Sequence, residues 1–412
     1  MGENMKKLKF ICSFLLILIS GTSSMLFAKG TESKNNEKLF NESDFEVMNA
    51  LQFTKVMGNG INLGNTMEAA GAYWLGYNAK PERYETSWGQ PVTTKKIFEA
   101  MKDAGFDSVR IPVAWTSTMD WRNGDFKIND DFMDRVKTLV DWALEAGLIV
   151  MINDHWDYQW WGLFGQDKTL AYKIFDAIWD DVGTNFKDYS YKLVFEAGNE
   201  EWGHRFNDEV DGKTGNLTVA AQYKLMNELS QYFVDKIRKQ GSKNSKRFLL
   251  IPGYNTDFVK TTDSQFKMPV DPSNNISKLM VSVHYYSPAL YSLVGEPVDW
   301  GGIKQPAKTW GSVKEINEQN RLFNLLKNFK NDGIGVVIGE YAVAMLKNKD
   351  GSYSRKENDV LWLENVLDNC DRNNYAPFLW DCNNYFHKTG KLGFTDSDIA
   401  ELYKSRRYEL EK

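Results

Sequence analysis

A chain of 412 residues can bury a large core, and its formal net charge of −5 is small for that length. No basic patch or run suits it to nucleic acid, and its four His show no H-x-H or H-E-x-x-H spacing, which argues against a metal-dependent hydrolase. Aromatic residues make up 14%, and many fall in Gly- and Asn-rich stretches where core packing needs them less.

The N-terminus reads as an export signal. Lys6, Lys7 and Lys9 precede an apolar run from Phe10 to Ile19, small residues follow, and cleavage after Ala28 is expected. The run is short for a membrane span, with an uncleaved anchor as the alternative. Residues 29–43 read as a polar leader and 44–412 as a single domain, because no Pro- or Ser-rich linker follows Phe45. Cys12 would leave with the signal. Cys370 and Cys382 should lie at opposite ends of one strand, too far apart to bridge.

From there a loose repeat runs through the chain. Ile97, Met101 and Ala104 share a helical face that ends at Gly105 before F-D-S-V-R-I. Phe132, Val136, Leu139, Val140 and Ala143 form the next face, and Gly147 precedes L-I-V-M-I. The same pattern returns at Gly241 and Gly333, and each glycine fits a helix C-cap. Eight strands are predicted, at 56–63, 107–112, 148–153, 192–197, 247–252, 279–284, 334–339 and 376–380, with a weak helix after the fifth. Eight βα units give an α/β fold, a (β/α)8 TIM barrel. An open doubly wound sheet is the alternative, but G-N-G-I-N-L-G at 58–64 lacks the G-x-G-x-x-G spacing of a phosphate loop.

In a barrel, groups past the strand C-terminal ends converge on one face. Arg110 lies near the end of strand two and His155 after strand three. Asn199 and Glu200 follow strand four, His284 and Tyr286 follow strand six, Glu340 ends strand seven, and Trp380 ends strand eight. Singly, an Arg is usually a surface charge and a His a satisfied buried group. Their recurrence at one phase of a repeated unit points to a site, with Glu200 and Glu340 as paired carboxylates.

These segments resemble glycoside hydrolase family 5 over roughly residues 45 to 405. The matches are N-L-G-N-T at 62–66, E-T-S-W-G-Q-P at 85–91, S-V-R-I-P-V-A-W at 108–115 and N-D-H-W-D at 153–157. F-E-A-G-N-E at 195–200, V-S-V-H-Y-Y-S-P at 281–288, V-I-G-E-Y at 337–341 and L-W-D at 379–381 complete the set. The pattern is most similar to the endo-β-1,4-glucanase and xyloglucanase branch. The N-terminal signal implies a secreted, periplasmic or cell-envelope location, and the resemblance implies an enzyme without cofactor or metal. Such an enzyme cuts β-glucan by double displacement, with two carboxyl groups about 5 Å apart. It implies Glu200 as acid/base, Glu340 as nucleophile, and Asn65, Arg110, His155, Asn199, His284, Tyr286 and Trp380 as substrate-binding or supporting groups. A monomer without stable membrane association after signal removal is expected. β-Mannanase and xylanase are the neighbouring alternatives, and a non-catalytic glycan-binding protein is the remote one.

The resemblance also implies electrostatics. Arg110 and Tyr286 should favour an ionised Glu340, while burial and the Glu340 charge should raise Glu200. Asn199 should reach the sugar 2-hydroxyl. The chain departs from the family pattern at three places: Glu201 stands in place of proline, Trp156 in place of a second His, and Cys382-Asn383 in place of Asn-Gly. Trp74, Trp88, Trp115, Trp160, Trp161, Trp202, Trp300 and Trp310 all fall in or beside predicted loops, and W-D-Y-Q-W-W at 156–161 is the expected groove wall.

Overall fold

The computed structural model describes residues 40–406 apart from 70–71, 158–159, 272–275 and 383. The export signal, most of the leader, Tyr158, Gln159 and Asn383 therefore lie outside the described residues. Eight parallel strands close into a barrel: β1 (Gly60–Asn62), β2 (Ser108–Ile111), β3 (Ile149–Asn153), β4 (Leu193–Glu196), β5 (Leu249–Pro252), β6 (Leu279–Tyr285), β7 (Gly335–Tyr341) and β8 (Tyr375–Leu379). Closure is direct, since Gly60 of β1 pairs with Ser108 of β2 on one side and Phe378 of β8 on the other. The (β/α)8 fold is thus realised and the open sheet is not.

The first strand is shorter than predicted. Residues 56 and 57 belong to a helix, Ala50–Met57, which Asn49 and Gln52 start with a reciprocal capping box. Its apolar face, Phe53 and Met57, made the stretch look like a strand from the sequence alone. A preceding helix, Glu42–Val47, is capped by Asn41 and begins inside the stretch read as leader. Gly105, Gly147, Gly241 and Gly333 all have positive φ at helix ends, as the repeat requires. Among the described residues after β5, a 3-10 turn at Tyr254–Thr256 leads into an α-helix of four residues, Phe258–Thr261.

The strands carry two apolar layers at period two. Val109, Val150, Ile152, Leu193 and Phe195 pack outward under the helices. Met151, Val194, Leu250, Met280, Val337, Ala376 and Phe378 form a separate cluster with Phe45, Met48, Ala50, Phe53 and Met57. The two N-terminal helices therefore plug the barrel mouth at the strand N-terminal ends. Phe53 stacks on Phe248 with ring centroids 3.7 Å apart. The buried Lys278 ammonium donates to the carbonyls of Phe45, Glu46 and Met48, tying the plug to β6. Phe53→Ala should cost about 3–5 kcal/mol in denaturant unfolding. Turnover under native conditions should persist, since the plug lies at the opposite end from the two acids.

Cys370 ends up buried in the helix Asp359–Asn373 before β8, and Cys382 lies past its far end; both are free. Among the described residues no helix is long and apolar enough to cross a membrane.

Candidate active site

The same period-two rule that points Met151 and Val194 inward carries Asn62, Arg110, Asn153 and Glu196 into the top layer of the barrel. Arg110 is fully buried and held from several directions. Its Nε donates to Glu196 Oε2 at 2.7 Å, and its Nη2 to Asn199 Oδ1 at 2.9 Å. Its Nη1 donates to Asn62 Oδ1 at 3.1 Å and to Glu340 Oε1 at 2.9 Å. Burial opposes its charge, but Glu196 and Glu340 more than compensate and raise its pKa. A guanidinium can serve this many acceptors in one plane; an ammonium cannot. Arg110→Met would leave Glu196 buried without a counter-charge and strip Glu340 of its 2.9 Å ion pair. It should lower stability by about 3–5 kcal/mol, read by chemical denaturation, and cut kcat sharply.

Glu340 is 5% exposed and also accepts from Tyr286 Oη at 2.9 Å. Burial and the Glu340 charge keep that phenol neutral, so it remains a donor. A bulge between β6 and β7 shifts the register after Val283 and brings His284 opposite Glu340. His284 Nδ1 then lies 2.8 Å from Glu200 Oε1 and 3.6 Å from Glu340 Oε2. Its desolvation is outweighed by the Glu340 and Glu200 charges, and its pKa is raised.

The three groups share protons, and the directions differ from the sequence expectation. Desolvation raises Glu200, but the His284 hydrogen bond and charge outweigh it, with Arg205 and Arg110 behind, and the net direction is down. Burial raises Glu340 despite His284, Arg110 and Tyr286, with Glu200 adding to the rise. The reason is geometric: His284 directs its nearer nitrogen at Glu200, so the proton of the free site belongs to the Glu200–His284 pair. Spacing along the chain could not show this.

One oxygen of each acid and the His284 nitrogen lie within 4.8 Å of one another. That set could also hold a cation, but Arg110, 2.9 Å from Glu340, places a fixed positive charge beside it. The donors suit proton traffic better than a resident ion.

His155 is buried, and Asn153 Nδ2 lies 3.2 Å from its Nδ1. With that amide donating, the ring proton falls on Nε2, which faces Glu340 Oε1 at 3.9 Å. Burial and the Arg110 and His284 charges hold His155 neutral. Its ring stacks on Trp380 at 5.7 Å, so it supports that indole rather than touching Glu200. Trp380 is partly exposed over the site. Asn65 lies in the loop after β1 with φ 58 and is only partly buried; its backbone N–H donates to Glu68. The residue that reaches Arg110 from this segment is Asn62.

A family model described as Cellulase (glycosyl hydrolase family 5) matches residues 73–386. The chain belongs to glycoside hydrolase family 5. It is a cellulase-like glycoside hydrolase. A xyloglucan-specific endo-β-1,4-glucanase of Bacteroides ovatus is 30% identical over 368 residues, covering 87% of this chain and 70% of that protein. Endoglucanase A of Paenibacillus barcinonensis is 30% identical over 361 residues, covering 82% and 84%. Among solved structures, a GH5-4 broad-specificity endoglucanase from an uncultured bovine rumen ciliate superposes with a TM-score of 0.71 at 28% identity. It covers 87% of this chain and 98% of its own.

Two features of this family 5 site escaped the sequence reading. Glu196 lies inside the predicted strand 192–197, where period two from Val194 turns it inward. Asn62 was overlooked beside Asn65. The tryptophan expectation needs larger correction. Trp115, Trp160, Trp161, Trp202 and Trp310 are each at most 3% exposed and belong to the core. Trp160 and Trp161 stack on each other at 4.0 Å instead of facing a groove. Indoles are large enough to fill the space between long βα loops and helices, so loop position alone did not mean exposure. Trp74 and Trp300 are exposed, at 48% and 51%, while Trp88 and Trp156 are partly buried.

Glu201 is 4% exposed and accepts the Trp156 backbone N–H with Oε1 at 3.0 Å. Burial pushes its carboxyl up to about 7.

Proposed function

We propose that this chain is a retaining endo-β-1,4-glucanase acting on cellulose-type, mixed-linkage or xyloglucan chains, with Glu340 as nucleophile and Glu200 as acid/base. The observation that carries the reading is the pair of acids with oxygens within 4.8 Å. That spacing matches the close pair of a retaining enzyme and falls short of the wider gap an inverting enzyme keeps for its water. Arg110 and Tyr286 together saturate the two Glu340 oxygens on the protein side and orient them for in-line attack on the anomeric carbon. The proton of the Glu200–His284 pair passes through Glu200 to the departing glycosidic oxygen. Attack by Glu340 forms the glycosyl ester and cancels its charge, which removes one of the charges that sustained the His284 proton. Glu200 then takes a proton from water, the hydroxyl attacks the anomeric carbon, and Glu340 leaves as carboxylate. Asn199, fixed by Arg110, is offered for the sugar 2-hydroxyl. Trp380, backed by His155, offers its face to the reacting ring.

Glucan as substrate is supported by relatives whose names carry that activity, including a Bacteroides ovatus xyloglucanase solved with a XXXG heptasaccharide. Export through residues 1–28 belongs to the same reading, resting on the basic start and apolar run. The test is cleavage of carboxymethylcellulose, mixed-linkage glucan, xyloglucan, xylan and mannan, with early products followed by proton NMR. Mid-chain cuts in the β-glucans that release the β-anomer first are expected. Release of the α-anomer first, or activity confined to mannan or xylan, would sink the proposal.

A further inference from the structure

The loop carrying Glu200 is fastened on both flanks. On the β5 side, Asn255 donates its side-chain amide to the Glu200 carbonyl at 2.6 Å, and its backbone N–H to Trp202 O at 2.6 Å. On the β3 side, the fastening is Glu201 Oε1 on the Trp156 N–H at 3.0 Å. Both partners sit in left-handed backbone, Trp156 at φ 46 and Asn255 at φ 45. For a residue as bulky as Trp that conformation is unfavourable and persists only where surrounding contacts impose it. The Glu201 carboxylate is the contact that meets the Trp156 amide.

Held in this turn, the Trp156 ring meets the Arg205 guanidinium, 4.4 Å from its centroid. Arg205 is in turn braced by Asp208 Oδ2 at 2.9 Å, and its charge is felt by Glu200. Among the described Trp, Tyr and Phe residues of the loops after β3 and β4, Trp156 alone keeps exposed surface. Trp160, Trp161, Phe164, Trp202 and Phe206 are buried. A cation on one face of an indole leaves the other available to the C–H face of a sugar.

We infer that Trp156, backed by Arg205 and held in its turn by Glu201, forms a platform for the first sugar on the leaving-group side of the scissile bond. This rests on the proposed role of Glu200: a group alongside the acid that protonates the departing oxygen faces the departing sugar. Trp380, by contrast, stacks on His155, whose Nε2 faces Glu340 Oε1 at 3.9 Å. Glu201 acts here as a positioning residue, and the two departures from the family pattern, at 156 and 201, become one device.

The test compares two substrates: an aryl β-cellobioside, whose leaving group is a phenol, and cellotetraose, which places sugar on the leaving side. Trp156→Ala should lower kcat/KM on cellotetraose roughly tenfold more than on the aryl glycoside. Transfer of glycosyl groups to added cellobiose should fall in parallel. Glu201→Ala should reproduce the selective loss. Glu201→Gln, which keeps an acceptor for the Trp156 N–H, should restore it. Equal losses on both substrates, or a Glu201→Gln variant no better than Glu201→Ala, would overturn the platform while leaving the glucanase reading intact. A parent enzyme inactive on both substrates would overturn both.

Discussion

Glu340→Ala is expected to abolish turnover on every substrate, by on the order of 10⁵-fold or more, including aryl glycosides with good leaving groups. Leaving-group quality cannot compensate, because the missing step is formation of the bond to the anomeric carbon. The truncation also removes the acceptor that Arg110 Nη1 and Tyr286 Oη both use, leaving Arg110 with Glu196 as its remaining carboxylate. Azide in place of the carboxylate should rescue activity on an aryl β-glycoside and yield the α-glycosyl azide, since one displacement then replaces two. A β-azide product, or measurable turnover without azide, would refute Glu340 as nucleophile.

Glu200→Ala should separate substrates instead of silencing them. Cellulosic chains, whose sugar alkoxide needs a proton to depart, should lose about 10³–10⁴-fold in kcat. Aryl glycosides with acidic phenols should still glycosylate Glu340 and show a burst of phenol, because little protonation is required. Azide should now accelerate the second step and give the β-glycosyl azide. The pH profile adds an independent reading. In the intact enzyme His284 is raised above the ordinary imidazole range and shares its proton with Glu200. Activity should therefore fall on the alkaline side only as pH climbs past that range, when the pair loses its proton. On the acid side Glu340 is raised, so activity should fall as pH drops toward a value above the ordinary carboxylate range, where the nucleophile gains a proton. Glu200→Ala should lose the alkaline limb on activated substrates and keep the acid one. A variant with full activity on cellulosic chains would remove Glu200 from the mechanism.

The roles legible in the chain were those that depend on phase within a repeat. Arg110, Glu200, His284 and Glu340 each lie near or just past the C-terminal end of a predicted strand, and the structure brings all four together around one pair of carboxylates. Tyr286 reaches Glu340 as the resemblance implied, and Cys370 and Cys382 stay apart for the reason the strand between them suggested. Roles that depend on which atom faces which neighbour were not legible. His155 and His284 are equivalent in the sequence, yet one stacks on Trp380 with its pKa lowered by burial, and the other meets Glu200 at 2.8 Å with its pKa raised by both acids. Glu196 and Glu340 are both acids at strand ends, but the Arg110 fork takes both and only Glu340 also meets Tyr286.

The tryptophans mark the boundary most clearly. Their positions between strands are a property of the chain, whereas exposure depends on whether two loops distant in sequence close over each ring. Trp161 packs against Trp202 and is lost to the core; Trp156, five residues earlier, keeps part of its surface in solvent. The repeat of helical faces, glycine caps and apolar strands by itself determined the barrel, because hydrophobic periodicity and backbone conformation are local properties. It determined the paired acids too, since a closed barrel gathers whatever its strand ends carry. Proton placement, the Arg110 fork and the Glu201–Trp156 tether were decided only by tertiary structure. Each depends on distances between side chains from different strands, set by barrel closure and by the bulge that turns His284 toward the acids.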